Sequence, residues 1–339
     1  MFSQLRRPAA VSPKLLAIIG AALFTGFVLY QLSFLRGLIF AKDLSEPLDV
    51  LSACKRQKPT LKHLDSTRSS SKPGIPKIIH QIWKTSNVSE YSLDPSHGSW
   101  KALYEPRKYV VKLWTDDDIH ELIKEKYPSL LSTYEGYPHS IQRADMARLV
   151  VVHAEGGVYA DLDVYPRAVG ELQCLQNLGM EAIFAPTAKT RGVSNHFFMA
   201  EKGSPFLQWV LSEAQQRSGL NSNQIVLPYL RVFWSTGPMM VTAAALEYAA
   251  IRGENHRVAV LDEERYVRKV VGHAAGRSWH GSDGQVLNFV ADYHKMIALG
   301  LGATIAVIIV VAFARLLCIR RRDRIQAEYT DLCQKIYTH

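Results

Sequence analysis

Two aspartates one residue apart, Asp161 and Asp163, are the residues whose type and spacing most directly indicate chemistry. They follow the apolar run Val158–Ala160, so the pattern predicts that both leave a strand end on the same side, with Leu162 turned into the core. Two such carboxylates repel each other unless a cation lies between them. Mg²⁺ and Mn²⁺ prefer oxygen ligands and bind through carboxylates together with substrate phosphates. The pattern indicates a metal-diphosphate site, with a polar strand end as the alternative.

A second acidic run, Asp116–Asp118, has a simpler interpretation. Thr115 can cap a helix there, and acidic residues in a first turn are favoured by the helix dipole. We therefore predict a helix over Asp116–Tyr127, ended by Pro128.

The elements around the aspartate pair can be predicted from periodicity. Ala144–Val152 carries apolar residues at helical spacing, and Gly156-Gly157 follows where a helix would end. Ile75–Trp83 and Tyr109–Trp114 are short apolar runs typical of buried strands. Alternation of strand and helix predicts an α/β sheet, whose ligands bind at the carboxyl ends of the strands.

The predicted helix before the aspartates carries a second charged pair. Asp145 and Arg148 are three residues apart and so share one helix face. From spacing alone a surface ion pair is the simplest interpretation. Arg143 is a candidate phosphate contact, with a solvent-facing arginine as its alternative.

Charge and hydropathy indicate a membrane protein. The formal net charge is +9, of which residues 1–14 and 315–339 contribute +3 each, so the basic residues mark membrane topology and not nucleic-acid binding. The stretches 15–35 and 296–314 are each about long enough to span a bilayer. Basic residues remain cytoplasmic, which predicts both termini in the cytoplasm and residues 36–295 in the lumen.

These features divide the chain into six parts. We predict a cytoplasmic tail (1–14), a transmembrane anchor (15–35), a lumenal stem (36–74), a catalytic domain (75–295), a transmembrane helix (296–318) and a basic cytoplasmic tail (319–339). Cys54 and Cys174 are the cysteines that could form a lumenal disulfide, although nothing in their spacing requires one.

Several motifs together resemble glycosyltransferase family 32, the fungal mannosyltransferases with a DXD sugar-binding region. The resemblance covers about residues 75–318, and later motifs are similar to those of the members that mannosylate inositol-phosphorylceramide. The motifs are IPKIIHQIWKT (75–85), LWTDDD (113–118), IQRADMARLVVVHAEGGVYADLD (141–163), GVSN (192–195), VLPY (226–229), STGP (235–238) and SWHG (278–281).

The resemblance implies a GT-A-type α/β domain with a mixed central sheet, flanked here by two transmembrane helices. It implies GDP-mannose as donor, Mn²⁺ (or Mg²⁺) on its diphosphate, and inositol-phosphorylceramide as acceptor. It further implies retention at the sugar, a Golgi membrane location and a regulatory membrane subunit as partner.

The resemblance also assigns site residues. Asp161 and Asp163 become the DXD pair, while Asp145 and Arg148 hold hydroxyls of the donor sugar. Three further positions are expected at the substrates: His80 and Trp83 in the nucleotide pocket, and Asn195 near the sugar. For Trp83, a tryptophan buried in the core is the alternative.

The segment before the second span offers a further metal ligand. Imidazole is an acceptable Mn²⁺ ligand, so we predict His280 as the third ligand, with Asp283 as the second choice. An ordinary connecting loop is the alternative. The sequence shows no nucleophilic carboxylate for a double displacement, which leaves a front-face mechanism open.

Two other functions are compatible with the same residues. One keeps the fold but uses another nucleotide sugar or a glycoprotein glycan as acceptor. The other is a non-catalytic lumenal scaffold, which has no need of the charged residues named above.

Overall fold

The computed structural model describes residues 12–34, 44, 47–54, 74–91, 95–187, 192–262, 266–274 and 281–337. The chain forms two units, Met1–Trp279 and His280–His339. The first holds the sheets and most helices, and the second contains one long helix.

The strands form a seven-stranded sheet of order β1-β8-β6-β7-β4-β2-β3 and a two-stranded sheet of β5 with β9. They are β1 Asp49–Leu51, β2 Ile78–Ile82, β3 Val110–Trp114, β4 Gly157–Ala160, β5 Val164–Pro166, β6 Ala182–Pro186, β7 Val193–Ala200, β8 Val258–Leu261 and β9 Val271–His273.

The helices are α1 Pro13–Ser33, α2 His97–Tyr104, α3 Asp116–Lys126, α4 Pro128–Gly136, α5 Ser140–Glu155, α6 Val169–Gln176, α7 Pro205–Gln216, α8 Leu220–Asn223, α9 Pro228–Ser235, α10 Pro238–Arg252, α11 Arg268–Val270 and α12 Ser282–Tyr337. Short 3₁₀ turns in the described ranges occupy Val88–Glu90, Glu105–Arg107 and Gly253–Asn255.

The large sheet is mixed, as predicted. Strand β7 runs antiparallel to both β6 and β4, whereas the other pairings are parallel. Every residue of β4, β6 and β8 is buried, because one core cluster covers each face of the sheet. Since β7 is reversed, its first residues lie beside the carboxyl end of β4, where the aspartate pair follows.

The predicted helix, glycine turn and strand are all present. Helix α5 ends at Glu155, and Gly156 follows with φ +70°. Gly157 has φ +115°, and a Cβ there would lie 2.5 Å from the carbonyl oxygen of Ile78. Only glycine satisfies both conditions, so this turn brings β4 against β2. The predicted capping of α3 is also present, because Thr115 Oγ1 accepts from the backbone N–H of Asp118 at 3.2 Å.

The folded domain begins earlier than predicted. Strand β1 lies inside the predicted stem and pairs in parallel with β8. Leu44, Leu48 and Leu51 are buried, and Cys54 forms a disulfide with Cys174, with Cα atoms 6.1 Å apart. A three-residue strand is too short to show a period, which explains why the sequence pattern missed it. Residues 55–73 of the predicted stem lie outside the described part.

Within the part of the chain that the structure describes, two helices are long and apolar enough to cross a membrane. They are α1 and a segment of α12, Gly302–Ala327. In α12 the helix runs from Ser282 to Tyr337 through the predicted domain boundaries at 295 and 318. The sequence had divided this helix by composition, whereas its backbone continues.

Candidate active site

The aspartate pair lies in a tight turn directly after β4. The strand ends at Ala160, so the carboxylates follow the strand and do not belong to it. The N–H of Asp161 donates to the carbonyl of His196 at 2.9 Å, and the N–H of Val164 donates to the carbonyl of Asp161 at 2.9 Å. Leu162 is buried, as predicted.

A buried arginine links this turn to α5. Arg148 Nη2 lies 3.4 Å from Asp145 Oδ1 and 3.5 Å from Asp161 Oδ1. Its Nη1 donates to the carbonyl of Asn195 at 3.1 Å, and its guanidinium lies 5.2 Å from the ring centroid of Tyr159. Arg148 and Asp145 are 5% and 4% exposed, so their pair is buried and not the surface pair that spacing alone suggested.

Asp145 is fixed from two further directions. Asn195 Nδ2 donates to Asp145 Oδ1 at 3.0 Å, and Thr236 Oγ1 donates to Asp145 Oδ2 at 3.0 Å. The Asp145 carboxylate on α5 therefore connects three elements, because its partners come from the start of β7 and the end of α9. Burial raises the pKa of Asp145, while Arg148 and the two donors oppose that rise.

Asp161 is less buried than Asp145, with 27% of its side chain exposed. Burial raises its pKa to about 6, with Arg148 opposing the rise and Asp163 adding to it. The hydroxyl of Tyr159 donates to Asp161 Oδ1 at 2.8 Å. Burial and the nearby Asp161 carboxylate raise the pKa of Tyr159, so this hydroxyl keeps its proton. The charge of Asp163 therefore acts on Asp161 from the next turn residue but one.

Two histidines that the sequence analysis did not select stand beside the pair. His273 Nε2 lies 3.3 Å from Asp163 Oδ2, because β9 pairs with β5 and aligns His273 with Val164. The ring of His273 stacks on His196 with centroids 4.5 Å apart. The hydrogen bond that His273 donates to the Asp163 carboxylate raises the pKa of His273, whereas burial lowers the pKa of His196 to about 3.

The loop after β2 contains two aromatic residues that contact each other. Trp83 and Tyr91 pack edge to face with centroids 5.2 Å apart. Burial raises the pKa of Tyr91 to about 12, and the charges of Asp163 and Asp161 add to the rise. Trp83 Nε1 is buried without a hydrogen-bond partner among the described residues.

The sequence of this region matches a known family. Residues 95–184 match the family described as glycosyltransferase sugar-binding region containing DXD motif. These residues include the turn with Asp161 and Asp163 and the helix with Asp145 and Arg148. The segment around the aspartate turn is therefore similar to glycosyltransferase sugar-binding regions.

Fungal proteins are similar to the chain beyond the DXD region. Inositol phosphoceramide mannosyltransferase 3 of Schizosaccharomyces pombe is 33% identical over 63% of this chain, which spans 58% of that protein. Inositol phosphoceramide mannosyltransferase 1 of the same organism is 28% identical over 82% of this chain and 86% of its own length. Mannosyl phosphorylinositol ceramide synthase SUR1 of Saccharomyces cerevisiae is 30% identical over 65% of this chain and 55% of its own length.

Solved structures match less closely. The PaToxG glycosyltransferase has a TM-score of 0.36 and 20% identity, covering 52% of this chain and 69% of its own. A glycosyltransferase involved in the glycosylation of the major capsid of PBCV-1 has a TM-score of 0.32 and 10% identity, covering 61% and 95%.

Around the DXD turn, the structure brings together Asp145, Arg148, Asn195 and the aspartate pair, but it separates two other predicted residues. His80 is fully buried. Its Nδ1 accepts from Trp114 Nε1 at 3.0 Å, so the other nitrogen, Nε2, carries the proton that it donates to the Gly156 carbonyl at 2.8 Å. Both ring nitrogens are hydrogen-bonded to protein atoms. His80 therefore stabilises the glycine turn and has no ring nitrogen left for a nucleotide.

Arg143 faces another direction. Its Nη1 donates to the carbonyl of Tyr137 at 2.9 Å, and its charge lowers the pKa of Asp116, which burial raises. This position follows from helix geometry, since residues 143 and 148 do not share a helix face. His280 lies outside the described residues, and Asp283 belongs to the second unit at the start of α12.

The residues at the DXD turn fit a divalent cation that arrives with its diphosphate. Among the described residues, no three ligand-type side chains form a ready-made metal site. Carboxylate and imidazole are nevertheless the donors present at Asp161, Asp163 and His273. A cation between the aspartates would relieve their repulsion, and Mg²⁺-type sites commonly use one or two carboxylates plus substrate phosphates.

Proposed function

We propose that this protein transfers mannose from GDP-mannose to inositol-phosphorylceramide. The observation that carries the proposal is the cluster of Asp161 with the buried pair Asp145 and Arg148 at the carboxyl end of β4, within a DXD region. The similar fungal proteins bear the names of inositol phosphoceramide mannosyltransferases, which supports this acceptor. A scaffold protein does not need a buried arginine between two carboxylates. The cluster therefore favours an enzymatic function.

For the cofactor, we assign Mn²⁺ (or Mg²⁺) to Asp161 and Asp163, with His273 as a further ligand. His273 Nε2 lies 3.3 Å from Asp163 Oδ2, and this distance supports His273 as a candidate ligand in addition to the predicted His280. When bound, the cation would neutralise charge on the leaving diphosphate.

The protein's own residues then hold the donor. Arg148 places a fixed positive charge behind Asp161, which keeps that carboxylate ionised for the cation. Asp145 is oriented by Asn195 and Thr236, so its free lone pairs can accept hydroxyls of the sugar. Trp83 offers a half-buried indole for the base, and its unpaired N–H offers a donor.

We further propose transfer with retention by a front-face route. The acceptor hydroxyl attacks the anomeric carbon from the side of the leaving diphosphate. The bond from that carbon to the phosphate oxygen breaks as the new glycosidic bond forms, and a phosphate oxygen takes the hydroxyl proton. Asp145 receives an ion pair and two hydrogen bonds, which makes it a weak nucleophile and argues against a covalent intermediate at that residue.

We place the enzyme in the Golgi membrane, with the catalytic domain lumenal and both termini cytoplasmic. The Cys54–Cys174 disulfide supports an oxidising compartment for the domain. A regulatory membrane subunit remains the expected partner.

Sugar transfer by the purified full chain in detergent tests this proposal. The reaction contains radiolabelled GDP-mannose, Mn²⁺ and inositol-phosphorylceramide. We expect a labelled lipid with the wild type and none with Asp163→Ala. Asp117→Ala is the matched control, because it removes an exposed aspartate of the other acidic run and should leave transfer unchanged. Transfer by Asp163→Ala at the wild-type rate would refute the site.

Nucleotide binding separates the alternatives. Metal-dependent thermal stabilisation by GDP, but not by UDP, supports the mannose donor. Stabilisation by UDP would indicate another nucleotide sugar, and stabilisation by neither would favour a scaffold. The apparent affinity for Mn²⁺ in the same assay should fall in His273→Ala, and an unchanged affinity would remove His273 from the ligand set.

A further inference from the structure

The inner end of α1 is fixed to the catalytic domain. Gln31 Nε2 donates to the Gln224 carbonyl at 3.0 Å, and Gln31 Oε1 accepts from the Val226 N–H at 3.0 Å. The rings of Phe34 and Trp234 pack edge to face with centroids 5.4 Å apart. Where α1 spans a membrane, these contacts hold the segment before α9 at the bilayer surface.

The surface beside this contact exposes aliphatic side chains among uncharged polar ones. Leu220, Val226 and Leu227 are 82%, 56% and 37% exposed. The sequence contains no acidic residue between Glu213 and Glu247. We call the segment 220–227 the apolar edge. An acid-free surface with exposed aliphatic side chains suits the headgroup region of a bilayer.

The aromatic residues around the apolar edge fit the same surroundings. Tyr30 donates its hydroxyl to the Gln224 side chain, and its ring packs on Phe34. Trp234 also receives the guanidinium of Arg217, 5.2 Å from its ring centroid. Tyrosine and tryptophan are enriched where membrane meets water, because their rings are apolar and their polar atoms need partners.

Helix α9 connects the apolar edge with the active site. It begins at Pro228, directly after the edge, and ends at Ser235. Ser235 Oγ accepts from Gln142 Nε2 at 2.7 Å, and the next residue, Thr236, donates to Asp145. Eight helical residues extend about 12 Å, so the edge lies about that far from the charged cluster.

We propose that the apolar edge inserts into the bilayer surface next to α1 and that this contact presents a membrane-held lipid acceptor to the active site. The contact with the bilayer requires only that α1 spans the membrane. The presentation of an acceptor rests on the proposed function. The two parts are therefore tested by separate measurements.

The first measurement locates the edge without any need for activity. Spin labels are placed at Leu220→Cys and Val226→Cys in the full chain, in nanodiscs, with Cys318 and Cys333 replaced by serine. Ile251→Cys is the matched control, since Ile251 is 63% exposed and lies at the far end of α10. We expect the edge labels to collide with oxygen and the control label with a water-soluble nickel complex. Nickel accessibility at all three positions would overturn the proposal.

The second measurement tests the presentation of the lipid. In Leu220→Glu/Val226→Glu, KM for the lipid acceptor should rise roughly tenfold, because two aliphatic contacts with the bilayer are lost. Hydrolysis of the nucleotide sugar without acceptor should remain unchanged, which also shows that the variant folds. Ile251→Glu should change neither value. An unchanged KM for the lipid would overturn the presentation step, whereas a chain without any sugar turnover would instead count against the proposed function.

Discussion

Replacement of Arg148 by methionine is the sharpest test of the active-site geometry. Methionine keeps much of the side-chain volume but removes the cation beside Asp145 and Asp161. Breaking a buried ion pair on one side costs about 3–5 kcal/mol, because the remaining charge is left buried. For a domain of this size, that corresponds to a fall in Tm of roughly 6–20 °C.

A second substitution separates lost charge balance from lost packing. In Arg148→Met/Asp145→Asn, the buried carboxylate is gone while the Asn195 amide keeps an acceptor. We expect the double variant to regain about 1–3 kcal/mol relative to Arg148→Met. Thermal unfolding of the full chain in detergent measures this. Arg252→Met, which removes an exposed arginine, is the control and should change stability by less than about 0.5 kcal/mol.

The effect of pH gives an independent check of the same reasoning. Burial raises the pKa of Asp145 and Arg148 opposes that rise, so the pKa must climb further without Arg148. A carboxyl whose folded-state pKa is raised loses stability as pH rises through that value. The difference in Tm between wild type and Arg148→Met should therefore be larger at pH 8 than at pH 5.5. A pH-independent difference, or no difference at all, would refute the buried-charge explanation.

Three further perturbations have definite expected results. Burial lowers the pKa of His80 to about 4 in the folded state. As pH falls below 6.5, His80 is therefore protonated in the unfolded state before it is protonated in the folded state. The free energy of unfolding should fall by about 3 kcal/mol as pH drops from 6.5 to 4. His80→Gln should flatten that part of the Tm curve, and an unchanged slope contradicts the assignment. Cys174→Ser should cost about 5 kcal/mol by the chain-entropy argument, measured by thermal unfolding beside a Cys318→Ser control that has no effect. Gly157→Ala should lower the Tm strongly through the clash with the Ile78 carbonyl, while Gly98→Ala, which meets nothing within 4 Å, should not; equal Tm values would contradict the strain at Gly157.

Local patterns in the sequence predicted the parts of the fold that depend on near neighbours. The helix before the DXD turn, its glycine end and the capped helix α3 all follow from residues within a few positions of one another. The spacing of Asp145 and Arg148 placed them on one face, and their burial could only be seen once β7 and α9 covered that face.

The missed residues depend on distant partners. His273 reaches Asp163 only because β9 pairs with β5, and nothing in the residues around His273 indicates that pairing. The same is true of β1, whose partner β8 follows some two hundred positions later. His80 was misjudged for a related reason, because the two groups that occupy its ring come from β3 and from the end of α5.

The pairing of β1 with β8 also sets an order for synthesis and folding. Synthesis begins at the N-terminus, so β1 is made first. Val50 can pair only after Val260, which belongs to β8, has been synthesised. Cys174 is made before β8, so its bond to Cys54 can form while the sheet is still incomplete. That bond would hold β1 near the open edge and shorten the loop that the last pairing must close. The disulfide would then act early in folding, by keeping β1 close to the sheet before its partner β8 has been synthesised.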